Sequence, residues 1–135
     1  MTRRTLGSLA LLGWLMAGSS LLQAHHSLAA VYDMKAEKEM EGTVEKVLFV
    51  NPHGSLIFSA KNADGTTTEW VMTLGSVSAL AQRGVGRTGP NALHPGDNIK
   101  CKFLPAKDGH PLGFLKSVTM PDGRVIAVSA ANPTE

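Results

Sequence analysis

From residue 39 onward, apolar and polar residues alternate along most of the chain, and each alternating run ends at a break rich in Gly, Pro, Asn or Asp. A two-residue period of this kind marks half-buried strands. The first run, Met40 to Val50, carries Gly42, Val44, Val47, Phe49 and Val50, and it slips one step near Glu45-Lys46, as a β-bulge requires. Asn51-Pro52-His53-Gly54 then forces a turn. A second strand, about Ser55 to Lys61, meets Asn62-Ala63-Asp64-Gly65, whose Asp-Gly pair suits a tight hairpin. Thr66 to Thr73 returns as a third strand with Thr68, Trp70, Met72 and Leu74 on one face.

The period changes at Ser76. Val77, Leu80 and Ala81 fall on one side of a two-turn helix that Ser76 caps and Gly84 ends. After a Gly-rich stretch, His94-Pro95-Gly96-Asp97 introduces a fourth strand, Asn98 to Leu104, with Ile99, Cys101 and Phe103 inward. Lys107-Asp108-Gly109-His110 turns into a fifth strand, about Gly113 to Met120, and Pro121-Asp122-Gly123 into a short sixth piece through Val125, Ala127 and Ser129. Three strands, a short helix and two strands is the order of the oligonucleotide/oligosaccharide-binding (OB) barrel, whose helix plugs one end between the third and fourth strands. The predicted class is therefore all-β with one short helix, a small five- to six-stranded OB-like Greek-key barrel. A small β-sandwich is the alternative.

Ahead of this pattern, Arg3 and Arg4, an apolar stretch from Leu6 to Leu22 and the small residue Ala24 compose a secretory signal. Cleavage after Ser19 or Ser20 is the alternative, because Leu22 suits the minus-three position poorly. The organisation read from the chain is a signal peptide over 1–24, an N-terminal arm over 25–38, a barrel domain over 39–129 and a tail over 130–135. Localisation is then periplasmic or secreted, with no membrane association after cleavage. Removing residues 1 to 24 from 135 leaves 111, enough for one modest core.

Export also changes the charge. The signal takes two arginines, so Lys plus Arg falls from 13 to 11 and equals the 11 Asp plus Glu. A neutral chain with Trp70 and Tyr32 as its only remaining Trp and Tyr offers a polyanion few clustered cations or stacking rings, which disfavours nucleic acid. Cys101 is the single cysteine, so no internal disulfide forms, and its parity with Ile99 and Phe103 makes it a small core residue.

The segments Ala24-His25-His26-Ser27, Tyr32-Asp33, Gly42-Thr43-Val44, Asn51-Pro52-His53, Leu74-Gly75-Ser76, Arg83-Gly84, Pro95-Gly96-Asp97, Pro105-Ala106-Lys107-Asp108-Gly109 and Asp122-Gly123-Arg124 together resemble a family of small exported bacterial proteins of unknown function. The resemblance spans nearly the whole exported chain. It implies export and this strand order, and supplies no activity. Leu28, Val77 and Val85 stand where that family carries Phe, Pro and Trp.

Cleavage after Ala24 makes His25 the first residue. Its α-amine and imidazole then form a bidentate nitrogen chelate, His26 adds a second imidazole, and such donors suit copper(II) best among common divalent ions. The amine, with a reference pKa of about 8, must lose its proton to bind, which a competing metal favours near neutral pH. His53 completes the candidate metal set from the turn after the first strand, read as lying at the mouth of the barrel. The expected function is an exported small binding module with copper or a similar metal as its candidate cofactor. The alternative is a module that holds a small ligand or a periplasmic protein on the barrel face around Trp70 and on the loop between the first two strands, which carries Asn51.

Other motifs carry less. His94 and His110 read as exposed loop residues. Gly84-Val85-Gly86-Arg87-Thr88-Gly89 spells a dinucleotide fingerprint but follows a helix and runs into Pro90, so it reads as a flexible connection. No nucleophile and base stand at a catalytic spacing, and an enzyme is the least supported class.

Overall fold

The structure, a computed structural model, describes residues 28–129. The chain divides into two units, Met1–Val31 and Tyr32–Glu135. Of the first, residues 28–31 form a helical turn. The second contains β1 (Lys38–Leu48), β2 (Ser55–Lys61), β3 (Thr67–Thr73), α1 (Val77–Gln82), β4 (Asn98–Pro105), β5 (Leu112–Thr119) and β6 (Val125–Ala127). Among the described residues no helix is long and apolar enough to cross a membrane.

One sheet accounts for all six strands, in the order β3-β2-β1-β4-β5-β6, and a parallel pairing of β3 with β5 closes the first five into a barrel. A single sheet curled onto itself sets aside the two-sheet sandwich. Closure requires β1 to serve two neighbours: its first half, Lys38–Thr43, pairs with β4 and its second half, Thr43–Leu48, with β2. The strand bends to do this. Its register with β2 shifts between Val44 and Lys46, which leaves Glu45 as the extra residue of the bulge expected there. The closing seam is short, with Val71, Met72 and Thr73 of β3 opposite Leu112, Gly113 and Phe114 of β5.

Inside, Val44, Leu56, Phe58, Met72, Leu74, Cys101, Phe103, Leu115 and Val118 are buried. Removing each large side chain from water contributes about 1.5–3 kcal/mol, so this layer is the principal source of stability. Two glycines let it pack. A Cβ on Gly42 would strike the Phe58 ring and stand 2.5 Å from the Ser59 carbonyl, and one on Gly113 would stand 2.5 Å from the Phe103 ring.

The helix behaves as a stopper. Ser76 caps it, its hydroxyl accepting from the Ala79 amide at 3.3 Å, and Gly84 ends it at φ +70. Only Leu80 is buried; Ala81, expected on the inward side, is exposed because so short a helix turns one residue toward the barrel end. The Gly-rich connector after it is not loose. Val85 and Leu93 are buried in the core, and Arg124 of the β5–β6 turn donates to the Pro90 carbonyl at 2.9 Å and the Asn91 side chain at 2.8 Å. The sixth strand also has the opposite phase to that expected. Ile126 packs on the core and Val128 is buried, whereas Val125 is 68% exposed.

Candidate functional site

His53 sits in the β1–β2 loop, and the local sequence explains how the loop is held. Gly54 has no Cβ to collide with the Leu48 carbonyl, which would lie 2.8 Å from one. Its amide donates to the Gly75 carbonyl at 3.2 Å, and its own carbonyl accepts from the Leu74 amide at 2.9 Å. The Asn51-Pro52 peptide is cis. These bonds place the loop beside the start of α1, at the end of the barrel that Leu80 closes. The loop expected at the mouth of the barrel thus borders the stopper, because β1 and β3 both run antiparallel to β2 and so finish at the same end.

The three described histidines differ. His94 has Nδ1 3.7 Å from an Asp97 carboxylate oxygen and His110 has Nδ1 3.1 Å from Asp108, both on exposed turns. His53 is exposed, and its imidazole has no hydrogen-bonding or ionic partner among the described residues. His25 and His26 lie outside the described residues. Among the described residues no group of three or more His, Cys, Asp or Glu is placed to hold a metal ion.

Trp70 does not lie on the outer sheet face. It shares the inward phase of Met72 and stands in register with Phe58, and its ring packs on Phe103 at 5.4 Å with a 55° tilt. It is half-buried, since β3 here runs past the seam with β5. The outer surface of the same hairpin carries Ser59, Lys61, Thr67 and Glu69 instead. Asn51 is occupied too, its Oδ1 accepting from the Val77 amide at 3.4 Å. Both residues named as ligand contacts thus make structural contacts.

Two residues without a role in the sequence reading hold the frame. Tyr32 is buried over the β3–β5 seam, with its hydroxyl 2.7 Å from Thr73 Oγ1 and its ring 5.7 Å from that of Phe114. A bridge from Tyr32 to Ala106, and the Asp33 amide donating to the Pro105 carbonyl at 2.9 Å, fix the segment along the end of β4. No periodicity surrounds Tyr32, so its aromatic type in a polar lead-in was the only signal. Arg124 is the other, recognisable only as the residue after Asp-Gly.

A shallow polar groove opens where β2 diverges from β1, lined in part by Glu39, Glu41, Thr43, Ser59, Lys61 and Lys100. Its charges are largely matched. Lys100 lies 3.1 Å from Glu41 and 3.3 Å from Glu39, and those hydrogen bonds hold its ammonium above the ordinary lysine value. The Cys101 thiol beneath is pushed up to about 12 by burial, as befits a core residue.

Comparison with curated proteins gives no match. A family model does match residues 14–133, nearly the whole sequence and all of the barrel. The chain therefore belongs to that family, described as a family of unknown function (DUF6152).

Proposed function

We propose that this protein is an exported small binding module whose ligand is copper(II) or a similar metal ion, taken by the amine and imidazole of His25, the imidazole of His26, and His53 as a further donor. The observation that carries the reading is the contrast among the described histidines. His94 and His110 each face a carboxylate, while His53 is exposed on a loop stitched at Gly54 and has no competing partner. An unengaged imidazole on a fixed loop is the cheapest kind of donor, since binding neither breaks a bond nor orders a chain. The reading based on Trp70 is weaker, because its ring already packs on Phe103.

The test is a copper titration of protein beginning at His25, followed by its visible absorption and electron paramagnetic resonance. Uptake of about one equivalent at micromolar copper with nitrogen ligation is expected. One extra residue ahead of His25 is expected to weaken binding at least about tenfold, a loss of about 1.4 kcal/mol, and His53→Ala to weaken it by a similar factor. Absence of uptake at micromolar copper removes the metal reading, and unchanged affinity in His53→Ala removes His53 from the donor set.

A further inference from the structure

Three turns of the barrel share one design. In Asn62–Thr66, Ala106–His110 and Met120–Arg124 an Asp-Gly pair occupies the same place, and the glycines have φ of +84, +80 and +86. The Asp carboxylate accepts the backbone amide of the residue after Gly at 2.9, 3.0 and 3.0 Å. The side chain of that residue touches the same carboxylate. Among Asp-X pairs, Asp-Gly is the one most prone to rearrange, because nothing on glycine obstructs attack by its nitrogen on the neighbouring carboxyl carbon.

In that reaction the Gly nitrogen forms a bond to Cγ of the protonated Asp carboxyl, the Cγ–OH bond breaks, and that hydroxyl leaves as water with the amide proton. Water then opens the five-membered imide at either carbonyl, giving Asp back or isoaspartate, whose main chain runs through the side-chain methylene. Two features of the turns oppose the first step. The Gly amide proton is committed to a carbonyl three residues back, and the carboxylate is tied in its charged form, which is a poor electrophile.

These guards are unequal. The Gly65 and Gly123 amides donate at 3.0 and 2.9 Å, but Gly109 donates to Ala106 at 3.4 Å. The side-chain contacts single out the same turn as the weakest: the Thr66 hydroxyl is 2.6 Å from Asp64 and Arg124 Nε is 2.7 Å from Asp122, whereas His110 Nδ1 is 3.1 Å from Asp108. Arg124 is also held by Pro90 and Asn91. His110 and Asp108 have side chains 76% and 65% exposed.

We propose that Asp108–Gly109, in the β4–β5 loop, is the bond at which this protein forms isoaspartate spontaneously, and that the matching turns at 64–65 and 122–123 are built to resist it. The pKa directions agree with the ranking. The side chains of Thr66 and Arg124 are the main cause lowering Asp64 and Asp122, while Asp108 is lowered chiefly by the His110 backbone amide.

The experiment holds the folded chain at pH 7 and 37 °C for weeks and maps isoaspartate by peptide mass spectrometry, with a urea-unfolded sample as the reference for intrinsic rates. Reactivity that depends on local opening should leave residue 108 ahead of 64 and 122 by about threefold or more in the folded chain, and the three should converge in urea. His110→Arg is expected to slow residue 108 toward the rate of 122, and Thr66→Val to speed residue 64 alone. Equal rates at all three bonds in the folded chain, or a residue 108 rate unmoved by His110→Arg, overturns the proposal.

Discussion

At the scale of single residues, absent atoms matter as much as present ones. Gly42 lies where β1 crosses beneath the Phe58 ring, so Gly42→Ala drives a methyl into a ring and a backbone carbonyl at once. Overpacking of this kind costs about 1–3 kcal/mol, and a lower urea midpoint at unchanged slope should report it. A midpoint equal to wild type would mean that the crossing has slack. The carboxylates of Asp64, Asp108 and Asp122 all ionise more easily than the ordinary 3.8. A depressed folded pKa contributes stability above the unfolded value and loses it as pH falls through the folded one. Stability is therefore expected to decline as pH drops below about 4, and the Thr66→Val and Arg124→Ala variants should show a shallower decline in thermal midpoint over that range. Identical acid slopes in all three proteins would remove these contacts from the response.

At the scale of elements, the strands were largely legible and the short pieces were not. β2 begins and ends as the alternation predicts, and the slip at Glu45-Lys46 is the observed bulge, because long half-buried strands impose their period on the sequence. β6 has only three residues, and both Val125/Ala127 and Ile126/Val128 are apolar pairs, so the pattern carried two equal phases. Burial against the core chose the second. In α1, the Ser76 side chain satisfies the Ala79 amide and the Asn51 side chain the Val77 amide, and Ser76→Ala should cost about 0.5–2 kcal/mol. Chemical denaturation reads this directly, and no loss would show that the stopper is held by Leu80 rather than by its cap.

At the scale of the whole molecule, closure depends on a three-residue parallel seam and on the tyrosine laid across it. Tyr32→Phe removes the hydroxyl that meets Thr73 and is expected to cost about 0.5–1.5 kcal/mol, whereas Tyr32→Ala also uncovers Phe114 and should cost more, about 3–5 kcal/mol. Thermal unfolding of both variants checks this. Wild-type midpoints in the pair would show that the seam closes without its cover. The candidate site was only partly legible on this scale. His53 was found from its turn, but its place beside α1 follows from which strands end together, and the shared phase of Trp70 and Met72 was legible while the packing of Trp70 on Phe103 was not.

The sequence by itself determined the order and period of the strands, the helix cap, the bulge and the Asp-Gly turns, because each depends on residues a few positions apart. Tertiary structure alone decided that β3 meets β5, that Tyr32 covers their seam, that Arg124 clasps the connector, and that Trp70 packs on Phe103 and Asn51 accepts from the start of α1. Those contacts join residues some 26 to 41 positions apart in several cases, and no local pattern encodes which distant surface a side chain meets once the sheet has curled.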